Sequence, residues 1–259
     1  MTKKIRNTLL AGIGALLLVA AAALLHASSG GRVSKVCEGL KVEYADKYRF
    51  VTQDDVKSYI EEYYGSYIGQ RLDSVDLARI EKIIDDQSAV LKSQAYTTDD
   101  GFLNVKLTQR EPYLRFQKGN DCGFYVDERG YIFPLQDNFT SHVPIIDGAV
   151  PVTYSQGYKG KAVTPEEERW IDGIITMTGM ISRNKIWRDG IVQIHVRDNG
   201  DLVLLPREGW ERFIIGGSDR MDEKLALIGK YYEYIKPARD SAYYSTVNVK
   251  FKDQIICRK

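Results

Sequence analysis

The sequence predicts an α+β protein: an N-terminal transmembrane helix, a small β-α-α-β-β domain, then a mostly antiparallel β-domain with two helices. Three observations predict it. Asn7 to Gly31, "NTLLAGIGALLLVAAAALLHASSGG", carries no formal charge and follows the basic residues Lys3, Lys4 and Arg6. Residues 40–110 switch between period-2 and helical apolar spacing in short runs. After Pro112, nine short strand-like runs are separated by Gly, Asp and Asn, and only two helical stripes interrupt them.

Taken in order, residues 1–7 read as a cytoplasmic tail, 8–27 as the transmembrane helix and 28–39 as a linker. Residues 40–110 form the first domain and 111–259 the second. An apolar run of this length crosses the hydrocarbon core as a helix. Basic residues ahead of it stay in the cytoplasm, so a single-pass type II protein with its bulk outside is expected. A cleaved signal peptide cut near Ala27 is the competing reading. Position three before that cut is Leu25, not a small residue, and the apolar run exceeds a usual signal core, which favours a retained anchor. "SSGGRVS" is a short flexible linker.

In the first domain "LKVEY" alternates as a strand. Thr52 caps a helix, with Asp55 three residues on; Val56, Ile60 and Tyr63 or Tyr64 form its stripe, and Gly65 ends it. A second helix starts near Asp76 and repeats Leu77, Ile80, Ile83 and Ile84. "AVLKSQAYTT" and "FLNVKLTQR" are strands joined at Asp99-Asp100-Gly101, and the second aims Leu103, Val105 and Leu107 away from Phe102.

The second domain's runs are "YLRF", "GFYV", "GYIFPL", "VPIIDG", "IVQIHV", "DLVLLP", "ERFIIGG", "STVNVKF" and "QIICR". "TPEEERWIDGIITMTGMI" is a helix with Thr164 as N-cap, Pro165 in the first turn, Glu167 closing a capping box, and Trp170, Ile174 and Ile175 on its buried face. "SDRMDEKLALIGKYYEYI" buries Leu225, Ile228, Tyr232 and Ile235, and Pro237 stops it. In "GFYVDERGYIFPL" the acids Asp127 and Glu128 are adjacent. Neighbouring strand residues face opposite ways, so the pair reads as a solvated hairpin tip over Asp127 to Gly130, not as the acid pair of an enzyme.

Composition narrows function. The chain has 259 residues, 44% hydrophobic and 27% charged, with a net charge of +1. That balance gives no electrostatic case for nucleic acid. Without Lys3, Lys4 and Arg6 the 36 basic residues become 33 against 35 acidic ones, formally −2. Cys37, Cys122 and Cys257 lie far apart with no C-x-x-C spacing, so no metal site is expected, and one disulfide stays open as to pairing. No phosphate-binding, zinc-protease or nucleophile-elbow motif occurs, so no catalytic residue and no cofactor is assigned. An exported hydrolase using His142 or His195 is the enzymatic alternative; His195 sits on the polar side of an alternating strand.

"FVTQDDVKSYI", "VDLARIEKII", "LNVKLTQREPYLRF", "YVDERGYIFPL…VPIIDG" and "GDLVLLPREGWERFIIG" occur in this order. With them the chain resembles the bacterial cell-division family FtsQ/DivIB over nearly its whole length. The resemblance implies a POTRA-type domain at 40–110 and an FtsQ-like β-domain at 111–259. It implies a non-enzymatic divisome scaffold in the inner membrane at the septum. Its β-domain would bind FtsB/FtsL-type proteins, its POTRA domain other divisome proteins, and it would help recruit and regulate septal peptidoglycan synthesis. Another POTRA-containing transport or assembly protein is the alternative within that resemblance. Where the family commonly reads Asp-hydrophobic-Arg-aromatic near its end, this chain has Asn248-Val249-Lys250-Phe251.

The partner-binding positions that the resemblance implies are Phe251, Asp253, Gln254, Ile255, Ile256, Cys257 and Arg258. Val247, Val249 and Phe251 alternate, and Ile255 and Cys257 resume the alternation after Lys252-Asp253-Gln254. The segment is expected to form two final strands or one bent strand, the last an edge with no later residue to cover it. A proline at Ile256 is expected to weaken binding if the N–H it removes faces the partner, and an internal strand covered by a loop is the competing reading.

Overall fold

A computed structural model describes residues 35–119, 122–136, 140–184, 190–239 and 243–259. The expected tail and transmembrane helix, and most of the linker, lie outside the described residues. Among those described, no helix is long and apolar enough to cross a membrane.

The first domain runs β1 (Gly39–Tyr44), α1 (Gln53–Tyr63), α2 (Leu77–Asp85), β2 (Val90–Thr97) and β3 (Phe102–Gln109). Its sheet has the order β1-β3-β2, with β1 parallel and β2 antiparallel to β3. Thr52 and Asp55 close a reciprocal capping box on α1. Gly65, at φ +102°, turns the chain just past its end. Asp76 caps α2 by accepting from the Arg79 N–H at 3.0 Å. Val56, Ile60, Ile80, Ile84, Leu103, Val105 and Leu107 share one buried core. Tyr63 points to solvent; Tyr64 lies against the core, and its hydroxyl accepts from the Asp76 N–H at 2.9 Å. Two acids pin α2 to the sheet edge: Glu81 accepts from the Ala95 N–H at 2.7 Å and Asp85 from the Ser93 N–H at 2.6 Å.

The second domain runs β4 (Leu114–Lys118), β5 (Cys122–Val126), β6 (Ile132–Pro134), β7 (Ile145–Gly148), α3 (Pro165–Arg183), β8 (Ile191–Val196), β9 (Leu202–Pro206), β10 (Arg212–Gly216), α4 (Met221–Lys230), β11 (Thr246–Asn248) and β12 (Ile256–Arg258). These strands form one nine-stranded sheet in the order β12-β11-β10-β9-β8-β7-β4-β5-β6. It is mixed but mostly antiparallel, as expected: β11–β12, β9–β10, β8–β9, β4–β5 and β5–β6 are antiparallel. β4–β7, β7–β8 and β10–β11 are parallel. For β7–β8 and β10–β11 the cause is connectivity. α3 carries the chain from β7 to β8 and α4 from β10 to β11, and a helical crossover returns the next strand in the same direction. Both helices and the inward side chains of the sheet, among them Phe116, Ile146, Ile194, Leu204, Phe213 and Val247, form a single core.

Two expectations inside this domain need correction. The buried seam of α3 is Ile171, Ile174, Met177, Thr178 and Ile181; Trp170 and Ile175 only flank it. Thr164 does cap α3, accepting from the Glu167 N–H at 3.2 Å. The Glu167 carboxylate takes backbone hydrogen bonds from Val163 and Thr164 at the helix start, and it also reaches the N–H and hydroxyl of Thr153, at 3.1 and 2.7 Å, tying a preceding loop to the helix. After α4 a π turn over Tyr231–Ile235 shifts the spacing, so Tyr231 is the fully buried aromatic and Tyr232 a half-buried one.

Tyr231 reaches a buried carboxylate. Oε1 of Glu211 accepts from its hydroxyl at 3.1 Å and from Nζ of Lys236 at 2.9 Å. Burial pushes the Glu211 carboxyl up, but the Lys236 hydrogen bond and charge outweigh it, and the pKa is lowered. The folded value thus lies below the unfolded one, about 4.3. The carboxylate's stabilising contribution is full above that value and disappears as the pH falls through the folded pKa. Acid titration of unfolding free energy should lose this contribution below about pH 4, and Glu211→Gln should flatten that part of the curve.

Candidate partner-binding edge

β11 and β12 are an antiparallel hairpin at one end of the large sheet, with Thr246 opposite Arg258, Val247 opposite Cys257 and Asn248 opposite Ile256. β11 pairs with β10 on its other side. Among the described residues β12 has no neighbour in the sheet beyond β11.

The direction of each peptide group follows from the bonds to β10. The Arg212 N–H donates to the Ser245 carbonyl and the Val249 N–H to the Ile214 carbonyl, both at 2.9 Å. Residues 245, 247 and 249 therefore turn backbone groups toward β10. Alternation turns those of Thr246 and Asn248 toward β12, where they meet Arg258 and Ile256. Ser245, just before β11, departs from this alternation: its carbonyl faces β10 while its N–H donates to the Arg258 carbonyl at 2.9 Å. The Ile256 N–H is thus used inside the hairpin, and the backbone of Cys257 faces the open side. This corrects the choice of Ile256 as the residue whose donor probes the edge.

The predicted site residues divide between strand and turn. Ile256, Cys257 and Arg258 form β12, while Phe251, Asp253, Gln254 and Ile255 belong to the turn before it. Ile255 and Cys257 pack half-buried against the core, and burial pushes the Cys257 thiol up. Ile256 and Arg258 project from the opposite face and are exposed, and Phe251 is exposed in the turn. Asp253 holds φ +56°, which bends the turn tightly.

Contacts distant in sequence fix the hairpin. Arg220, itself at φ +48°, donates from Nη2 to the Lys250 carbonyl at 3.1 Å. Nζ of Lys250 pairs with Asp201 at 2.7 Å, and the Lys250 N–H bonds to the Asn248 side chain at 2.9 Å. No local signal could have found Arg220 or Asp201, because each reaches Lys250 through the fold.

The other candidates lie elsewhere. His195 stands on β8 with Nδ1 at 3.0 Å from Asp147, a cross-strand neighbour on β7 that also accepts from Gln193 at 2.7 Å. Among the described residues no hydroxyl or thiol is hydrogen-bonded to its ring, and His142 is exposed in a loop. No group of three or more His, Cys, Asp or Glu among the described residues is placed to hold a metal ion. Cys37 and Cys257 are free thiols. Asp127 is not at a solvated tip: it is buried and paired with Arg110.

A family model described as FtsQ/DivIB, C-terminal related, matches residues 111–258, and one described as a POTRA-like domain matches residues 35–108. No curated protein matches the chain.

Proposed function

The chain belongs to the FtsQ/DivIB family, and from that premise we propose that it is a division scaffold whose β12 edge receives an extended segment of an FtsB/FtsL-type partner. The family's domains imply the scaffold role in the divisome. The observation that carries the finer reading is the outermost place of β12, with the Cys257 backbone facing away from β11. An edge strand with open N–H and C=O groups pairs readily with a further strand. Pairing supplies affinity, and the exposed Ile256 and Arg258 on one face supply specificity. Phe251 adds an apolar contact at the turn. Arg258 and Lys259 favour an acidic partner segment.

In this reading residues 8–27 anchor the protein in the inner membrane as a single-pass type II chain with its bulk outside. The POTRA-like domain contacts other divisome proteins, and the assembly helps recruit and regulate septal peptidoglycan synthesis. The protein acts by binding rather than by catalysis.

Two proline variants test the edge. Cys257→Pro removes the outward donor and leaves the β11 pairing in place; Ile256→Pro removes a donor used inside the hairpin. Titrating the full chain with the FtsB/FtsL homologues should show about tenfold weaker binding for Cys257→Pro, the size of one lost hydrogen bond. Ile256→Pro should instead lower stability. Unchanged affinity in folded Cys257→Pro protein removes this edge from the mechanism.

A further inference from the structure

The junction of the two domains holds a side-chain cluster with no part in the proposed edge. Oδ1 of Asp127 accepts from the N–H groups of Arg129 and Tyr131, both at 2.9 Å, and closes the β5–β6 turn. Oδ2 accepts from Nη1 of Arg110 at 3.0 Å, with the two side chains only 14% and 9% exposed. The Arg110 guanidinium also lies 3.5 Å from the centre of the Tyr131 ring. Arg110 leaves the first domain, where its N–H donates to the Ala89 carbonyl at 2.9 Å. Glu111 is held back to that domain by the Tyr48 hydroxyl at 2.6 Å, while the Tyr113 N–H donates to Val126 of the second domain at 2.8 Å.

We propose that Arg110, Asp127 and Tyr131 form a latch that fixes the angle between the two domains. The connection between β3 and β4 is four residues long, 110–113, so any swing must pass through it. Arg110 comes from one side of the connection and its two partners from the other, so a swing there breaks both contacts. Breaking the ion pair leaves a largely buried charge uncompensated, which opposes motion. The planar guanidinium suits both contacts at once: Nη1 donates to the carboxylate while the flat face stacks on the ring. A cleft of about 380 Å³, lined in part by Leu91, Glu111 and Glu128, opens beside the cluster and gives the domains room to move once it is released. Latched, the chain presents a partner held by one domain at a set angle to a partner held by the other.

The test measures the inter-domain distance distribution in the full chain, with spin labels on non-canonical residues at the exposed positions Lys82 and Lys159. Asp127→Asn retains an oxygen to close the turn but removes the charge. Arg110→Lys retains the charge but lacks the flat face that stacks on Tyr131. The unaltered latch should give one narrow distribution, and each variant one at least twice as broad with unchanged circular dichroism. The substitutions sit in different domains, so if one disturbs its own domain the other decides. Equal widths in the folded variants overturn the latch.

Discussion

Gly148→Ala should unfold the second domain selectively. Gly148 ends β7 at φ +86°, a conformation that side chains with a Cβ rarely adopt. A Cβ there would stand 2.2 Å from the Val196 carbonyl oxygen and 2.8 Å from the His195 ring. The imidazole can rotate away, but the carbonyl belongs to β8, the parallel partner of β7 at the middle of the nine-stranded sheet. Relief therefore means separating two central strands. Strain and lost pairing together should cost more than about 3 kcal/mol. The two domains have separate cores, so urea unfolding should resolve two transitions. The variant should lose or advance the second-domain transition and leave the first where it was. An unshifted second-domain midpoint would mean that β7 and β8 part without penalty.

The mirror experiment is Ile80→Ala. Ile80 is fully buried on α2 and packs into the first core with Ile84, Val56 and the inward face of β3. Truncation removes three heavy atoms from a small core that cannot collapse freely, because Glu81 and Asp85 hold α2 to β2. A loss of about 2–5 kcal/mol is expected, at the upper end if the cavity persists. A domain of this size has little stability to spare, so the first transition should move to much lower urea or vanish. The second-domain midpoint should stay fixed. If both midpoints move together, the domains unfold as one unit, and the junction contacts outweigh the separation of the cores.

Local chemistry determined the elements. Thr52 with Asp55, Asp76 and Thr164 start helices because each side chain satisfies an otherwise unpaired N–H within three residues. Alternation fixed which side of β3 carries Leu103, Val105 and Leu107, since strand periodicity depends on nothing beyond the strand. The same reasoning located the β5–β6 turn and left the last segment as two strands or one bent strand, which the structure resolves as a hairpin. The family, too, was legible, through motifs in a fixed order along the chain.

Tertiary structure decided what lies between elements. The parallel pairs of the large sheet, the seam of α3 and the π turn that buries Tyr231 depend on where a helix lands on the sheet, and sequence spacing does not carry that. Asp127 shows the reason most plainly. Its turn chemistry is local, but its burial comes from Arg110, 17 residues earlier and across a domain boundary. The site behaves likewise. That the last strand is extended follows from alternation, whereas which of its N–H groups face outward follows from how β11 bonds to β10. A side chain's periodicity is a property of its own segment; its partner is set by chain that returns from far away.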